Sequence, residues 1–92
     1  MRVDVTKEDI DNGQQFSAAS SPVALALGRA TNTPPHMWMV RMERIEYGRQ
    51  GWDTYREYET PDSVWSFLFH YDGDLGVEPF AFDLDLPIEE PR

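Results

Sequence analysis

Near the end of the chain Phe80, Phe82, Leu84 and Leu86 alternate with Ala81, Asp83 and Asp85, and only an extended strand brings those four apolar side chains to one side. The chain must therefore build a sheet with one dry and one wet face, and something apolar has to cover the dry one. A second pattern, of different period, supplies the cover. Val64, Phe67, Leu68 and Tyr71 recur at helical spacing, with Trp65 and Phe69 beside them in a broad apolar stripe. Both periods within 92 residues predict one small α+β domain with a single core. Three Trp, four Tyr and five Phe can fill that core, each contributing on the order of 2 kcal/mol when buried.

The remaining elements follow from local signals. Val3 and Val5 alternate with Arg2 and Asp4 in a first strand that stops at Thr6. Thr6-Lys7-Glu8-Asp9 has capping-box spacing and predicts a brief helical turn through Ile10 ending near Gly13. Ser20-Ser21-Pro22 opens a helix with a buried stripe of Val23, Ala26, Leu27 and Ala30, Leu25 at its flank, and Gly28 either packing closely or marking an early end. Thr31-Asn32-Thr33-Pro34-Pro35 is a loop. Residues 37–47 read as one long strand, 48–51 as a turn and 52–59 as the antiparallel return. Thr60-Pro61-Asp62-Ser63 opens the clearest helix, with a left-handed Gly73 expected to close it. Pro79 and Pro87 bound the last strand. The expectation is a four-stranded antiparallel or mixed sheet with two helices on one face, a domain spanning 1–87 and a flexible tail at 88–92.

Cysteine is absent, which removes disulfides, thiolate nucleophiles and cysteine-ligated zinc. His36 and His70 form no cluster. Met1-Arg2-Val3-Asp4-Val5 lacks the apolar run of a signal peptide, and no stretch approaches the ~20 apolar residues of a membrane span, so a cytoplasmic location is expected. Ser20 and Ser21 sit where helix caps belong, and a lone His70 is more often structural than a general base. Asp72-Gly73-Asp74-Leu75-Gly76 departs from the EF-hand template, with Gly76 where a third ligand belongs and Asp83 where the Glu belongs, and reads as a helix-terminating turn. No enzyme, cofactor or metal site is expected.

Charge is the informative feature. The formal net charge of −9 disfavours direct nucleic-acid binding, which gains affinity by neutralising phosphates with Lys and Arg, and suits a basic partner surface. Between Arg29 and Arg56 five Arg face three acids, whereas from Asp72 onward Asp72, Asp74, Glu78, Asp83, Asp85, Glu89 and Glu90 are opposed only by Arg92. Alternate carboxylates on a strand lie ~7 Å apart, close to the spacing of successive phosphates, so Asp83 and Asp85 can mimic a nucleic-acid backbone; a solvated sheet face is the plainer reading. A second candidate surface is the segment of Trp38, Arg41, Arg44, Tyr47 and Trp52, residue types common at interface hot spots, which would make an accessory subunit or homodimer through an aromatic hairpin.

Asp9-Ile10-Asp11-Asn12-Gly13, Ser21-Pro22-Val23-Ala24-Leu25-Ala26-Leu27 and Pro79-Phe80-Ala81-Phe82 together resemble a group of uncharacterised small proteins of bacteriophages, prophages and actinobacteria, which show an acidic-Ile-acidic-x-Gly turn, a Cys-Pro-Ile/Val-Ala-Leu-Ala-Leu helix start and a Pro-Phe-x-Phe strand. Ser21 stands where that group often has Cys, and the shared motifs are structural. The resemblance implies a phage-type protein, and small acidic phage proteins are frequently inhibitors of host defence nucleases or DNA-repair enzymes. The expected function is thus an acidic inhibitor, anti-CRISPR-like or a DNA-mimic decoy, acting in a bacterial host cell on a protein with a basic nucleic-acid-binding surface.

Overall fold

A computed structural model describes residues 1–49 and 51–85. In β1 (Arg2–Val5) the two valines are buried and Arg2 and Asp4 face out. Thr6 ends the strand and begins helix α1 (Lys7–Asn12) through the predicted capping box: the Asp9 N–H donates to the Thr6 hydroxyl at 3.2 Å, and the Thr6 N–H donates to the Asp9 carboxylate at 2.9 Å. Asp9 is buried, and both its oxygens also accept from Arg29, at 2.7 and 2.8 Å. Arg29 donates as well to the Asp4 carbonyl at 2.8 Å, so one guanidinium fastens α1 and β1 to the next helix. At the end of α1 a Cβ on Gly13 would lie 2.6 Å from the Pro22 ring, so only glycine lets the two segments meet.

Helix α2 (Pro22–Thr31) starts as expected, with the Ala24 N–H donating to the Ser21 hydroxyl at 3.2 Å. Pro22, Val23, Ala24, Ala26, Leu27 and Gly28 are buried, while Leu25 and Ala30 are only partly so. Gly28 packs closely and ends nothing: a Cβ there would meet the Thr33 carbonyl at 2.9 Å and Pro35 at 3.0 Å. Asn32, left-handed at φ 57°, closes the helix, and a short 3-10 turn at Pro35–Met37 leads into the sheet.

The single long strand expected over 37–47 is instead a hairpin of β2 (Trp38–Val40) and β3 (Arg44–Tyr47), paired antiparallel with Trp38 opposite Tyr47 and Val40 opposite Ile45. The Arg41 N–H donates to the Arg44 carbonyl at 2.9 Å across a turn whose backbone stays out of the left-handed region, so neither Gly nor Pro was needed to make it. The return strand β4 (Arg56–Glu59) is shorter than the expected 52–59 because residues 52–55 turn, with the Tyr55 N–H donating to the Trp52 carbonyl at 3.1 Å.

Helix α3 (Asp62–Asp72) buries Val64, Phe67 and Leu68. Its start departs from expectation. Pro61 occupies the cap position without a side-chain bond, and the Thr60 hydroxyl donates to the Arg41 carbonyl at 2.9 Å, tying the helix to the hairpin turn. Its end departs too, since Gly73 has φ −83° and the left-handed residue is Asp74, at φ 61°. Strand β5 (Phe80–Asp83) follows Pro79 and pairs antiparallel with β1, Val3 opposite Phe82 and Val5 opposite Phe80. Leu86, Pro87 and the 88–92 tail lie outside the described residues.

The fold is α+β, but in place of the expected single four-stranded sheet with two helices the described residues form two antiparallel sheets, β1-β5 and β2-β3-β4, with three α-helices. Helix α2 contacts both sheets and α1. One buried cluster joins Val3, Val5, Phe82 and Leu84 with Val23 and Leu27, with Trp38, Val40 and Ile45, and with Val64, Phe67 and Leu68. Phe67 stacks on Phe80, centroids 4.8 Å apart, so α3 leans on β5.

Burial acts to raise the Asp9 carboxyl, but hydrogen bonds from Arg29 and Thr6 and the charge of Arg29 outweigh it and hold the group below its ordinary value. A carboxyl lowered in the folded state stabilises the fold above its unfolded pKa, and that contribution is lost as pH falls through the folded value. Asp9→Asn is therefore expected to lose about 1–2 kcal/mol of unfolding free energy at neutral pH, with the gap to the parent narrowing below about pH 4. Urea unfolding across that range measures it; a gap constant down to pH 3 would show that the ion pair is not its origin.

Candidate functional site

Along β5 and just beyond it, Phe82 and Leu84 are buried while Asp83 and Asp85 are exposed, the predicted alternation. The pairing with β1 extends past the strand ends, because the Leu84 N–H donates to the Met1 carbonyl at 3.0 Å and the terminal amine of Met1 donates back to the Leu84 carbonyl at 2.8 Å. Asp85 thus follows a residue held by two backbone bonds. Register places Arg2 opposite Asp83, yet Arg2 Nε donates to Asp4 Oδ1 at 3.0 Å, along its own strand. Asp74 and Glu78 are exposed on the connection from α3 to β5. Asp72 is partly buried, and its Oδ1 accepts the Phe16 N–H at 3.0 Å.

The cations of the chain are held elsewhere. Arg29 is held by Asp9, Lys7 by Asp11 at 3.2 Å, and Arg2 by Asp4. Arg41 and Arg44 converge on the buried carboxylate of Glu46, at 3.4 and 2.7 Å, where the Tyr55 hydroxyl also donates at 3.0 Å. Burial pushes Glu46 up, but bonds from Arg44, Tyr55 and Arg41 hold it below its ordinary range, so it stays charged and neutralises the basic middle of the chain. Arg49 lies over the Trp52 ring at 5.8 Å, and Arg56 donates to the Asp53 and Tyr55 carbonyls. Among the described residues no Lys or Arg comes within ion-pair distance of Asp72, Asp74, Glu78, Asp83 or Asp85. Glu89 and Glu90, which continue the charge in sequence, lie outside the described residues, as does Arg92.

The second candidate surface is divided between the core and the exterior. Trp38 is fully buried, packed on Tyr47 at 4.9 Å and Tyr58 at 6.3 Å, because its place opposite Tyr47 in the hairpin turns it into the core. Arg41 and Arg44 are engaged by Glu46, and only Trp52 presents an exposed ring. Of the three residues weighed for catalysis, Ser21 caps α2, His70 Nδ1 donates to the Ser66 carbonyl at 2.7 Å, and the Ser20 N–H donates to the Ser17 hydroxyl at 3.1 Å. Among the described residues no group of three or more His, Asp or Glu side chains is placed to hold a metal ion, and no helix is long and apolar enough to cross a membrane. Residues 72–76 form the expected helix-ending turn, with the Leu75 N–H donating to the His70 carbonyl at 2.8 Å.

Sequence reasoning missed an exposed apolar surface. Trp65 and Phe69 stack on each other, centroids 5.6 Å apart, outside the arc that α3 buries. The signal was the width of the apolar stripe: six residues of 64–71 cover more than the ~100° that one face of a helix can hide. Phe16 carried no signal. It is 79 % exposed and left-handed at φ 58°, where glycine would be expected. Comparison with family models, with curated proteins and with solved structures yields no match to this chain.

Because Phe16 makes little packing of its own, Phe16→Gly is expected to relieve about 1 kcal/mol of backbone strain and raise Tm by a few degrees. Thermal unfolding followed by circular dichroism checks this; a fall in Tm would mean that the ring supports the fold.

Proposed function

We propose that this chain is a non-enzymatic acidic binding protein of phage type, which acts in the bacterial cytoplasm by occupying the basic nucleic-acid-binding surface of a host protein. One observation carries the reading: among the described residues Asp74, Glu78, Asp83 and Asp85 are exposed with no Lys or Arg within ion-pair distance, while every described Lys and Arg is engaged elsewhere in the chain. Such a surface attracts positive charge over about a Debye length and speeds encounter with a basic groove. The antiparallel ladder of β1 and β5 holds Asp83 in place, so little ordering entropy opposes binding there. The resemblance to phage proteins adds the class of partner, a defence or repair enzyme that itself binds DNA or RNA, and makes an anti-CRISPR-like decoy the specific form.

The test is capture of bacterial lysate proteins on the immobilised chain. Nucleic-acid-binding proteins are expected to be retained, to be displaced by added duplex DNA, and to be released as salt rises. The folded double variant Asp83→Lys/Asp85→Lys should retain them at least ~10-fold less well. Retention that survives both the charge reversal and high salt would exclude the reading.

A further inference from the structure

Each of the two sheets has two edges, and hydrogen bonds show which of them are occupied. The outer side of β2 is taken where the Val40 N–H donates to the Ala18 carbonyl at 2.9 Å, and that of β1 where the Asp4 carbonyl accepts from Arg29 at 2.8 Å. Strand β4 is also an edge, but its Glu57 carboxylate is engaged by the Tyr55 hydroxyl at 3.2 Å and by Arg44 at 3.4 Å. The edge at β5 differs. Met1 and Leu84 exchange both of their backbone bonds, and bonded pairs alternate along an antiparallel ladder, so Val3 with Phe82 and Val5 with Phe80 are the next ones. The main-chain groups of Ala81 and Asp83 therefore point away from β1, and among the described residues no hydrogen bond uses them. Side chains along this edge sort by face. Asp83 and Asp85 are exposed on the wet side, with no ion-pair partner among the described residues. On the dry side the Phe80 ring stacks on Phe67 yet stays only partly buried.

A row of unpaired donors and acceptors is a template for one more strand, and the side chains beside it select which strand. A second copy of β5 would set its own Asp83 and Asp85 against these, and like charges facing each other across a ladder are destabilising. An extended segment with Lys or Arg at alternate positions has the complementary pattern, because alternate side chains of a strand share one face. Resting on the reading of the acidic strand as the contact surface, we infer that an extended basic segment of a partner protein joins β5 as an added strand. The pairing is antiparallel, as in both existing sheets, and bonds of that kind are slightly the better per residue. The Ala81 and Asp83 N–H groups donate to the segment and their carbonyls accept from it. Two of its cations, at alternate positions, lie beside Asp85 and Asp83, and its intervening apolar side chains extend the dry side toward Phe80.

Nuclear magnetic resonance titration of the full chain with the peptide acetyl-Lys-Val-Lys-Val-Thr-Val-amide tests it. Saturable shifts and slowed hydrogen exchange are expected at the Ala81 and Asp83 amides, and neither at the Glu57 and Glu59 amides of β4. N-methylation of the second Lys and the Thr removes the donors aimed at β5 and should weaken binding at least about tenfold. The isomer methylated on the second and third Val, equal in charge and composition, should bind within about threefold of the unmethylated peptide. Replacing each Lys by Glu should abolish binding. Folded Ala81→Pro, whose ring deletes an outward N–H and no ladder bond, should weaken the peptide at least about threefold. Methylated isomers that bind alike or in the opposite order, undiminished binding of the Glu peptide, or shifts at this edge that track protein concentration without peptide would each overturn strand addition. The folded variant Asp83→Lys/Asp85→Lys separates the two layers of the account. Loss of the peptide in that variant, with methylated isomers that bind alike to the parent chain, would leave a contact through charge alone, whereas a peptide indifferent to the charge reversal would remove the acidic surface itself.

Discussion

The close approach of α2 to its neighbours is the constraint on which the rest of this fold depends. Its buried face is built largely from Pro22, Ala24, Ala26 and Gly28, small or compact residues that let backbone come near, so β1, β2 and α1 can all touch one ten-residue helix. Gly13 against Pro22 and Gly28 against Pro35 admit no Cβ without displacement. Arg29, at the exposed edge of the same helix, then joins the three pieces electrostatically by reaching Asp9 and the Asp4 carbonyl. Without this hub the two sheets would share only their apolar side chains, because among the described residues no backbone ladder connects them.

That arrangement also decides where charge is left over. Arg29 on α2 is held by Asp9 from α1, Arg41 and Arg44 at the hairpin share Glu46, and Arg49 after it lies over the Trp52 ring. Arg2, although opposite Asp83 in register, turns along its own strand to Asp4. Residues 74–85 therefore carry four exposed carboxylates outside any ion pair among the described residues, and Glu8, Glu43, Asp53, Glu59 and Asp62 carry the others.

Much of this was legible in the sequence because it rests on local rules. The capping box at Thr6 and Asp9, the Ser21-Pro22 helix start and the Phe80–Asp83 alternation each depend on residues within a few positions of one another, and each formed as read. The turn at 41–43 was invisible because an ordinary turn of right-handed residues leaves no Gly or Pro behind, and missing it merged two strands and miscounted the sheets. Trp38 looked like an interface residue for the same reason: without the hairpin its facing was unknown. The acidic stretch could be seen as composition, but its lack of partners could not. That depended on Arg41 and Arg44 both choosing Glu46, and on a contact of Arg29 with Asp9 across twenty positions. Phe16 adopts a backbone conformation that residue type argues against, so only coordinates reveal it.

The central claim, that negative potential is concentrated over residues 74–85, can be measured without knowing the partner. Paramagnetic relaxation of amide protons by a cationic nitroxide, divided by that from an anionic nitroxide of the same size, reports the potential at each site. The largest ratios are expected at the amides of Asp74, Glu78, Asp83 and Asp85, and distinctly lower ones around Arg44 and Glu46. Ratios over the acidic stretch no higher than those over the hairpin would contradict it.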